Sequence, residues 1–115
     1  MKDKWVFVVY TLLIWITYFL LAYLLFFSID ATSHLGLREG FFVLVLSSLG
    51  FIMPSPGGIG TYHAAAVIAL GFYQVGSDDA KLYAFIAHGS QTLMMLVAGV
   101  ISYILFLLIL KKQKA

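Results

Sequence analysis

The sequence predicts an all-α integral membrane protein in which two full transmembrane helices flank a broken, re-entrant helical hairpin. Three observations lead to this prediction. Hydrophobic residues make up 63% of the 115 residues and charged residues only 10%, a balance typical of membrane proteins. Residues 5–29 and 80–110 are long and apolar enough to cross a bilayer. Between them, two prolines and three glycines interrupt a third apolar stretch.

Composition also excludes several functional classes. The chain has no cysteine, so disulfides, thiol catalysis and thiolate metal sites are ruled out. Its net charge of +2 is too small for a nucleic-acid-binding surface. No nucleophile–base pair is recognisable, and all but one of the carboxylates fall in predicted surface turns: Asp30, Glu39, Asp78 and Asp79. We therefore expect neither an enzyme nor a cofactor.

The first transmembrane helix is predicted over residues 5–29, which carry no charge and follow Lys2 and Lys4. The alternative is a secretory signal peptide. Its apolar region would span about 7–15 residues and end at a small-residue cleavage site, whereas this stretch is longer. Residues 30–40 hold a quarter of the formal charges and are predicted to form a connecting loop at the membrane surface.

Two half-helices are predicted over residues 41–53 and 62–75. At a rise of about 1.5 Å per residue each is roughly 20 Å long, short of the roughly 30 Å hydrocarbon core. Residues 54–61, the broken segment, separate them. Gly76 is expected to close the second half-helix, with Ser77 or Asp78 capping a last helix over residues 80–110. That helix exceeds a minimal span, so we expect it to be tilted, kinked near Gly89 or extended beyond the membrane.

Charge at the two ends predicts the topology. Lysines cluster at both ends and favour the cytoplasmic side, so an even number of complete crossings is expected. The first and last helices supply these crossings, and the half-helix pair then enters and leaves by the outer face. The alternative, one broken spanning helix over residues 41–75, is longer than a single crossing needs. It would place the C-terminal lysines outside.

The broken segment is the first candidate for a binding site. Gly57, Gly58 and Gly60 permit positive φ, and Thr61 is a plausible N-cap for the second half-helix. The N–H groups after it, including those of Tyr62 and His63, would then lack intrahelical partners and attract an anion such as a phosphate or carboxylate. The alternative is a purely structural hairpin turn. The segment matches neither a Walker loop nor a dinucleotide fingerprint.

Polar residues within the apolar stretches are the remaining candidates. His63 is expected either to contact the anion or to bond to a hairpin carbonyl. His88, Gln91 and Thr92 share one helix face at i, i+3 and i+4, and they either line the opposite wall of the site or join helices by hydrogen bonds. No third metal-binding residue stands at a spacing from the two histidines that is typical of metal sites, so no metal site is expected.

The motif Pro-Ser-Pro-Gly-Gly-Ile-Gly-Thr-Tyr-His at residues 54–63, the Gly-x-acidic turn at 76–79 and the pattern Ala-His-Gly-Ser-Gln-Thr at 87–92 resemble the transmembrane region of lysylphosphatidylglycerol synthases and related flippase-like proteins. The resemblance covers roughly residues 41–110 and corresponds to the C-terminal part of that region. It implies a multi-pass protein of the bacterial inner membrane, whose two ends the lysines predict to be cytoplasmic. Such a protein moves or accommodates an anionic phospholipid, aminoacylated in the best-known members.

The chain differs from this family in three respects. The soluble aminoacyl-transfer domain is absent, so synthase activity is not implied. Many relatives have an acidic residue at the position of His63 and an arginine near residues 88–91. The chain is also shorter than the family's membrane region, so it is expected to be a fragment, a truncated reading frame or one piece of a split assembly, with a homo-oligomer or further membrane helices as partners.

The first hypothesis for function is therefore part of a lipid flippase. In it, the anionic headgroup is bound by nine residues: Gly57, Gly58, Gly60, Thr61, Tyr62, His63, His88, Gln91 and Thr92. The alternative from a different class is a non-transporting scaffold that binds partner helices. A small ion pathway is a weaker third hypothesis, because no charged residue lies at the predicted depth of the hairpin tip.

Overall fold

The computed structural model describes residues 2–114, which form four α-helices and contain no strand. They are α1 (Lys2–Leu25), α2 (Leu37–Leu49), α3 (Thr61–Gly71) and α4 (Ser77–Lys114). Short 3-10 turns link them at Phe26–Ser28, Asp30–Thr32, Gly50–Ile52 and Pro56–Gly58. The predicted all-α class is confirmed. The molecule measures 59 × 28 × 28 Å, and its long axis is set by α4, whose 38 residues extend about 57 Å.

The two long helices, α1 and α4, are antiparallel. The buried hydroxyl of Tyr83, near the start of α4, donates a 2.8 Å hydrogen bond to the carbonyl of Ala22, near the end of α1. At the other end, Tyr10 of α1 and Ser102 of α4 line the same groove. The beginning of α1 and the end of α4 therefore lie at one end of the molecule. The side of the membrane that this end faces stays a prediction.

Most of the surface of α1 and α4 consists of exposed apolar side chains. Two helical stretches are long and apolar enough to cross a bilayer, Asp3–Ser28 and Ser77–Gln113, and the most apolar 18 residues of each have a mean hydropathy of 2.1 and 2.8. Of those 18 residues, 6% are buried in the first stretch and none in the second, whereas the core helix of a soluble protein would be mostly covered. Large apolar side chains such as Trp5, Leu93 and Ile104 are exposed along their length. This exposure and hydropathy place the chain among membrane proteins.

The shorter helices α2 and α3 form an antiparallel hairpin. Phe42, near the start of α2, packs edge-on against Phe72 and Tyr73, just past the end of α3, with ring centroids 5.8 Å apart in both pairs. At the other end, the backbone of Gly50 lies against the backbone of Thr61. The chain therefore folds back on itself, and α2 and α3 are not one broken spanning helix. How deeply the hairpin enters a bilayer stays a prediction.

The buried core lies at the end of the molecule away from the chain termini. It is centred on the rings of Phe26 and Tyr83, whose centroids are 5.2 Å apart. Five buried alanines of α3 and α4 contribute to it: Ala66, Ala69, Ala80, Ala84 and Ala87. Small side chains let two helix backbones approach closely, which is how helices pack where lipid removes most of the hydrophobic driving force.

Helix ends differ from the predictions in physically informative ways. The N-cap of α3 is Gly60 and not Thr61, so the predicted cap is wrong by one residue. α3 ends at Gly71, so Gly76 does not close it. The carbonyl of Gly76 instead accepts a hydrogen bond from the N–H of Ala80 at 2.9 Å. Because α4 begins at Ser77, Ser77 and Asp78 lie in its first turn and not at its cap. The helix runs unbroken through Gly89.

The end of α3 is closed by a Schellman motif. The N–H of Val75 donates to the carbonyl of Leu70 at 3.3 Å, and the N–H of Gln74 donates to that of Gly71 at 3.1 Å. Gln74 takes the left-handed position at φ 60°, which glycine usually occupies. Val75 and Leu70 are both buried, the apolar contact that accompanies this motif.

Candidate site at the hairpin tip

The broken segment makes a tight turn that only glycine can form readily. Gly57, Gly58 and Gly60 have φ of 60°, 73° and 85°. A left-handed conformation costs other residues roughly 1–2 kcal/mol each. The hydroxyls of Ser55 and Thr61 lie 2.7 Å apart and join the two sides of the turn. The side chain of Thr61 is therefore engaged within the turn and does not cap α3.

Backbone donors gather at the start of α3. The N–H groups in the first turn of a helix have no intrahelical partner. At the start of α3 no side chain accepts a hydrogen bond from them. The N–H of Gly60, just before this turn, does have a side-chain acceptor: it donates a hydrogen bond to Nδ1 of His63 at 3.3 Å. His63 thus occupies the N3 position from which a glutamate or glutamine reaches back in a capping box. The predicted alternative for His63, a bond to a hairpin carbonyl, is replaced by a bond to a hairpin amide.

Four rings pack around the start of α3 and link it to α4. The His63 and His88 rings have centroids 4.9 Å apart, and the Tyr62 and His88 rings 5.2 Å apart. The ring centroid of Phe85 lies 4.7 Å from that of His63. The two histidines, 25 positions apart in sequence, therefore meet directly. Among residues 2–114 no third metal-ligating side chain joins them.

A cavity of about 250 Å³, the tip cavity, lies between the broken segment and α4. Its walls are formed by seven residues: Phe51, Gly57, Ile59, His88, Gln91, Thr92 and Met95. The predicted polar face of α4 therefore does meet the glycine-rich turn. Nδ1 of His88 is buried here and has no hydrogen-bond partner. A buried polar atom in this state costs about 1–3 kcal/mol.

Five predicted residues do not line the tip cavity: Gly58, Gly60, Thr61, Tyr62 and His63. Tyr62 and His63 lie beside it, packed against the ring of His88. Thr61 lines a different groove, together with Leu46 of α2 and Met53 of the segment that follows it. Gly58 is buried, and a side chain there would collide with the ring of Phe51. Gly60 is exposed, and a Cβ built on it meets nothing within 4 Å. The glycines thus differ in role: Gly57 lines the cavity, Gly58 allows Phe51 to pack, and Gly60 caps α3.

Sequence reasoning missed Phe51 and Gly50. Phe51 forms a wall of the tip cavity and packs on Tyr62, with ring centroids 5.4 Å apart. A Cβ on Gly50 would lie 2.6 Å from the carbonyl oxygen of Thr61, so Gly50 allows the two hairpin helices to touch. Its φ of −59° is ordinary, and nothing in the local sequence distinguishes it from a helical glycine without a role.

The position of the tip cavity along α4 follows from helix geometry. His88 lies seven residues beyond Lys81 and 23 residues before Lys111, which correspond to about 11 Å and 35 Å of helix. The site therefore lies in the uncharged part of α4, nearer to its first turns. Backbone freed from helical hydrogen bonding within a membrane is stable only beside protein or water.

These features define an all-helical membrane protein whose broken hairpin ends in a small, partly polar cavity against a spanning helix. The chain belongs to the family described as the lysylphosphatidylglycerol synthase transmembrane region, whose model matches residues 2–99. The predicted family is thereby confirmed, and the match extends further toward the N-terminus than the motifs indicated, since it includes α1. No curated protein and no solved structure matches the chain. Family membership indicates a function connected with membrane lipids.

Proposed function

We propose that the chain is part of a bacterial inner-membrane lipid flippase and binds the headgroup of an anionic phospholipid at the tip cavity. The observation that carries the proposal is the meeting of Gly57 with His88, Gln91 and Thr92 around one cavity, beside the free backbone N–H groups at the start of α3. Free N–H groups and a helix dipole favour an anion. Imidazole, amide and hydroxyl groups supply further donors.

The apolar surface around the tip cavity supports a lipid and not a soluble anion as the ligand. The tip cavity is reached from apolar surface, since Ile59 and Met95 line it and both are exposed. A phospholipid can place its headgroup at these polar groups while its acyl chains stay beside the apolar faces of α1 and α4. The proposal gives the chain no chemical step, because movement of a lipid needs only alternate exposure of a binding site.

A matched pair of variants tests the site without disturbing the turn. Gln91→Leu combined with Thr92→Val removes two polar groups from the tip cavity, whereas Thr11→Val removes a hydroxyl that bonds within α1. The detergent-solubilised full chain is titrated with phosphatidylglycerol and phosphatidylcholine. We expect wild type and Thr11→Val to prefer phosphatidylglycerol and the double variant to lose that preference by about tenfold, the effect of roughly 1.4 kcal/mol.

Equal affinity of the wild type for both lipids would refute the proposal. It would favour the alternative function, a scaffold that binds partner helices. One observation supports that alternative: the hairpin tip exposes 76% of Ile52, 67% of Ile59 and 59% of Met53. A second copy of the chain or additional helices would cover these side chains. Loss of self-association or partner binding in an Ile52→Ser variant, with no lipid preference in wild type, is the result that the scaffold predicts.

A further inference from the structure

The hydrogen bond between Gly60 and His63 sets the tautomer of the neutral histidine. Nδ1 of His63 accepts the Gly60 N–H at 3.3 Å, so its lone pair is in use and the neutral ring carries its proton on Nε2. A proton added to Nδ1 would break this bond. Protonation of His63 therefore does two things at once: it creates a positive charge at the hairpin tip and it frees the N–H of the residue that caps α3.

His88 provides the neighbouring group for such a proton. Its ring centroid lies 4.9 Å from that of His63, with 57° between the two ring planes. Its Nδ1 is buried and without a partner. An imidazolium beside an unpaired imidazole nitrogen can share its proton with it. Two imidazoliums at this distance would repel each other, so the pair holds one proton.

No charged side chain of the described residues faces the histidine pair. The titratable neighbour on α3 is the phenol of Tyr62, and α4 supplies His88 itself. The charged residues of the packed elements lie toward their ends: Arg38 and Glu39 in the first turn of α2, Asp78, Asp79 and Lys81 in the first turns of α4, and Lys111 and Lys112 at its other end. A positive charge at the pair thus has no protein carboxylate to balance it.

We infer that the tip cavity takes up its anionic headgroup together with one proton, which the His63–His88 pair holds. This inference rests on the proposed function and adds the co-ligand. The proton passes from hydronium to Nδ1 of His63, and the Gly60 N–H loses its acceptor and joins the free donors at the start of α3. The helix N-terminus opposes a cation beside it until an anion neutralises the site, so the two bind together. Release of the anion returns the proton to water.

The test is the pH dependence of phosphatidylglycerol binding by the detergent-solubilised full chain, with phosphatidylcholine as the reference lipid. Between about pH 5 and 8 the phosphodiester stays ionised, and histidine is the side chain that ordinarily titrates. Binding with uptake of one proton strengthens by up to about tenfold for each unit of decrease in pH. We expect this slope in wild type and in His34→Gln, a control in the connecting loop.

Two variants address the pair separately. His63→Gln places at N3 a side chain that still accepts the Gly60 N–H, as in a capping box, but cannot titrate. We expect it to fold like wild type and to bind with a flat pH profile. His88→Gln leaves the Gly60 bond intact and is expected to reduce the slope as well. Proton uptake on binding, measured in buffers of different ionisation enthalpy, should approach one in wild type and zero in His63→Gln.

The outcomes separate this inference from the function beneath it. A preference for phosphatidylglycerol that does not change with pH would overturn the proton coupling and leave the lipid site standing. An unchanged slope in His63→Gln would also overturn it, because the titrating group would then lie elsewhere. No preference for phosphatidylglycerol at any pH would overturn both.

Discussion

Replacement of Gly50 by alanine is the sharpest test of the hairpin. A Cβ there would lie 2.6 Å from the carbonyl oxygen of Thr61 and 2.8 Å from Cα of Tyr62. Both atoms belong to the backbone of α3, so no side-chain rotation relieves the collision. Reaching the 3.4 Å of an ordinary van der Waals contact requires the helices to separate by about 0.8 Å. Overpacking typically costs about 1–3 kcal/mol, and we expect the upper end of that range.

A second glycine of the same hairpin provides the control. A Cβ on Gly71, at the end of α3, meets nothing within 4 Å. Gly71→Ala should therefore leave the free energy of unfolding unchanged or raise it by up to about 1 kcal/mol through helix propensity. Both variants are compared in detergent micelles by denaturant titration monitored by helix content. Equal stability of Gly50→Ala and Gly71→Ala would show that α2 and α3 do not touch at this point, and the antiparallel packing would be refuted.

Two further predictions concern residues with positive φ. Gly57→Ala and Gly58→Ala share the strain of a left-handed alanine, roughly 1–2 kcal/mol, but the second also drives a Cβ into the ring of Phe51. We expect Gly58→Ala to lower the free energy of unfolding by about 1 kcal/mol more than Gly57→Ala, and a reversed order would contradict the assigned role of Gly58. Gln74→Gly should raise that free energy by about 0.5–1 kcal/mol, because Gln74 holds the left-handed position that ends α3. A loss of stability in the same denaturant titration would mean that its side chain matters more than its backbone.

The candidate site was only partly predictable from sequence. The three-and-four spacing of His88, Gln91 and Thr92 put them on one face of α4 without any tertiary information, and the structure places that face on the tip cavity. Thr61 shows the opposite case, since a threonine before a helical stretch is a good N-cap by local chemistry. In the structure the hydroxyl of Thr61 is hydrogen-bonded to that of Ser55 instead. Whether these residues bind a lipid stays a prediction.

The membrane class, the helical content and the place where the hairpin breaks follow from local sequence. Hydropathy, helix propensity and the φ preferences of proline and glycine act within a few residues and need no packing partner. Three features emerge from packing alone: Gly50 is a contact point, Gln74 holds the left-handed position that closes α3, and His63 meets His88. Each of these depends on which backbone lies opposite, and that choice is made by packing between residues far apart in the chain.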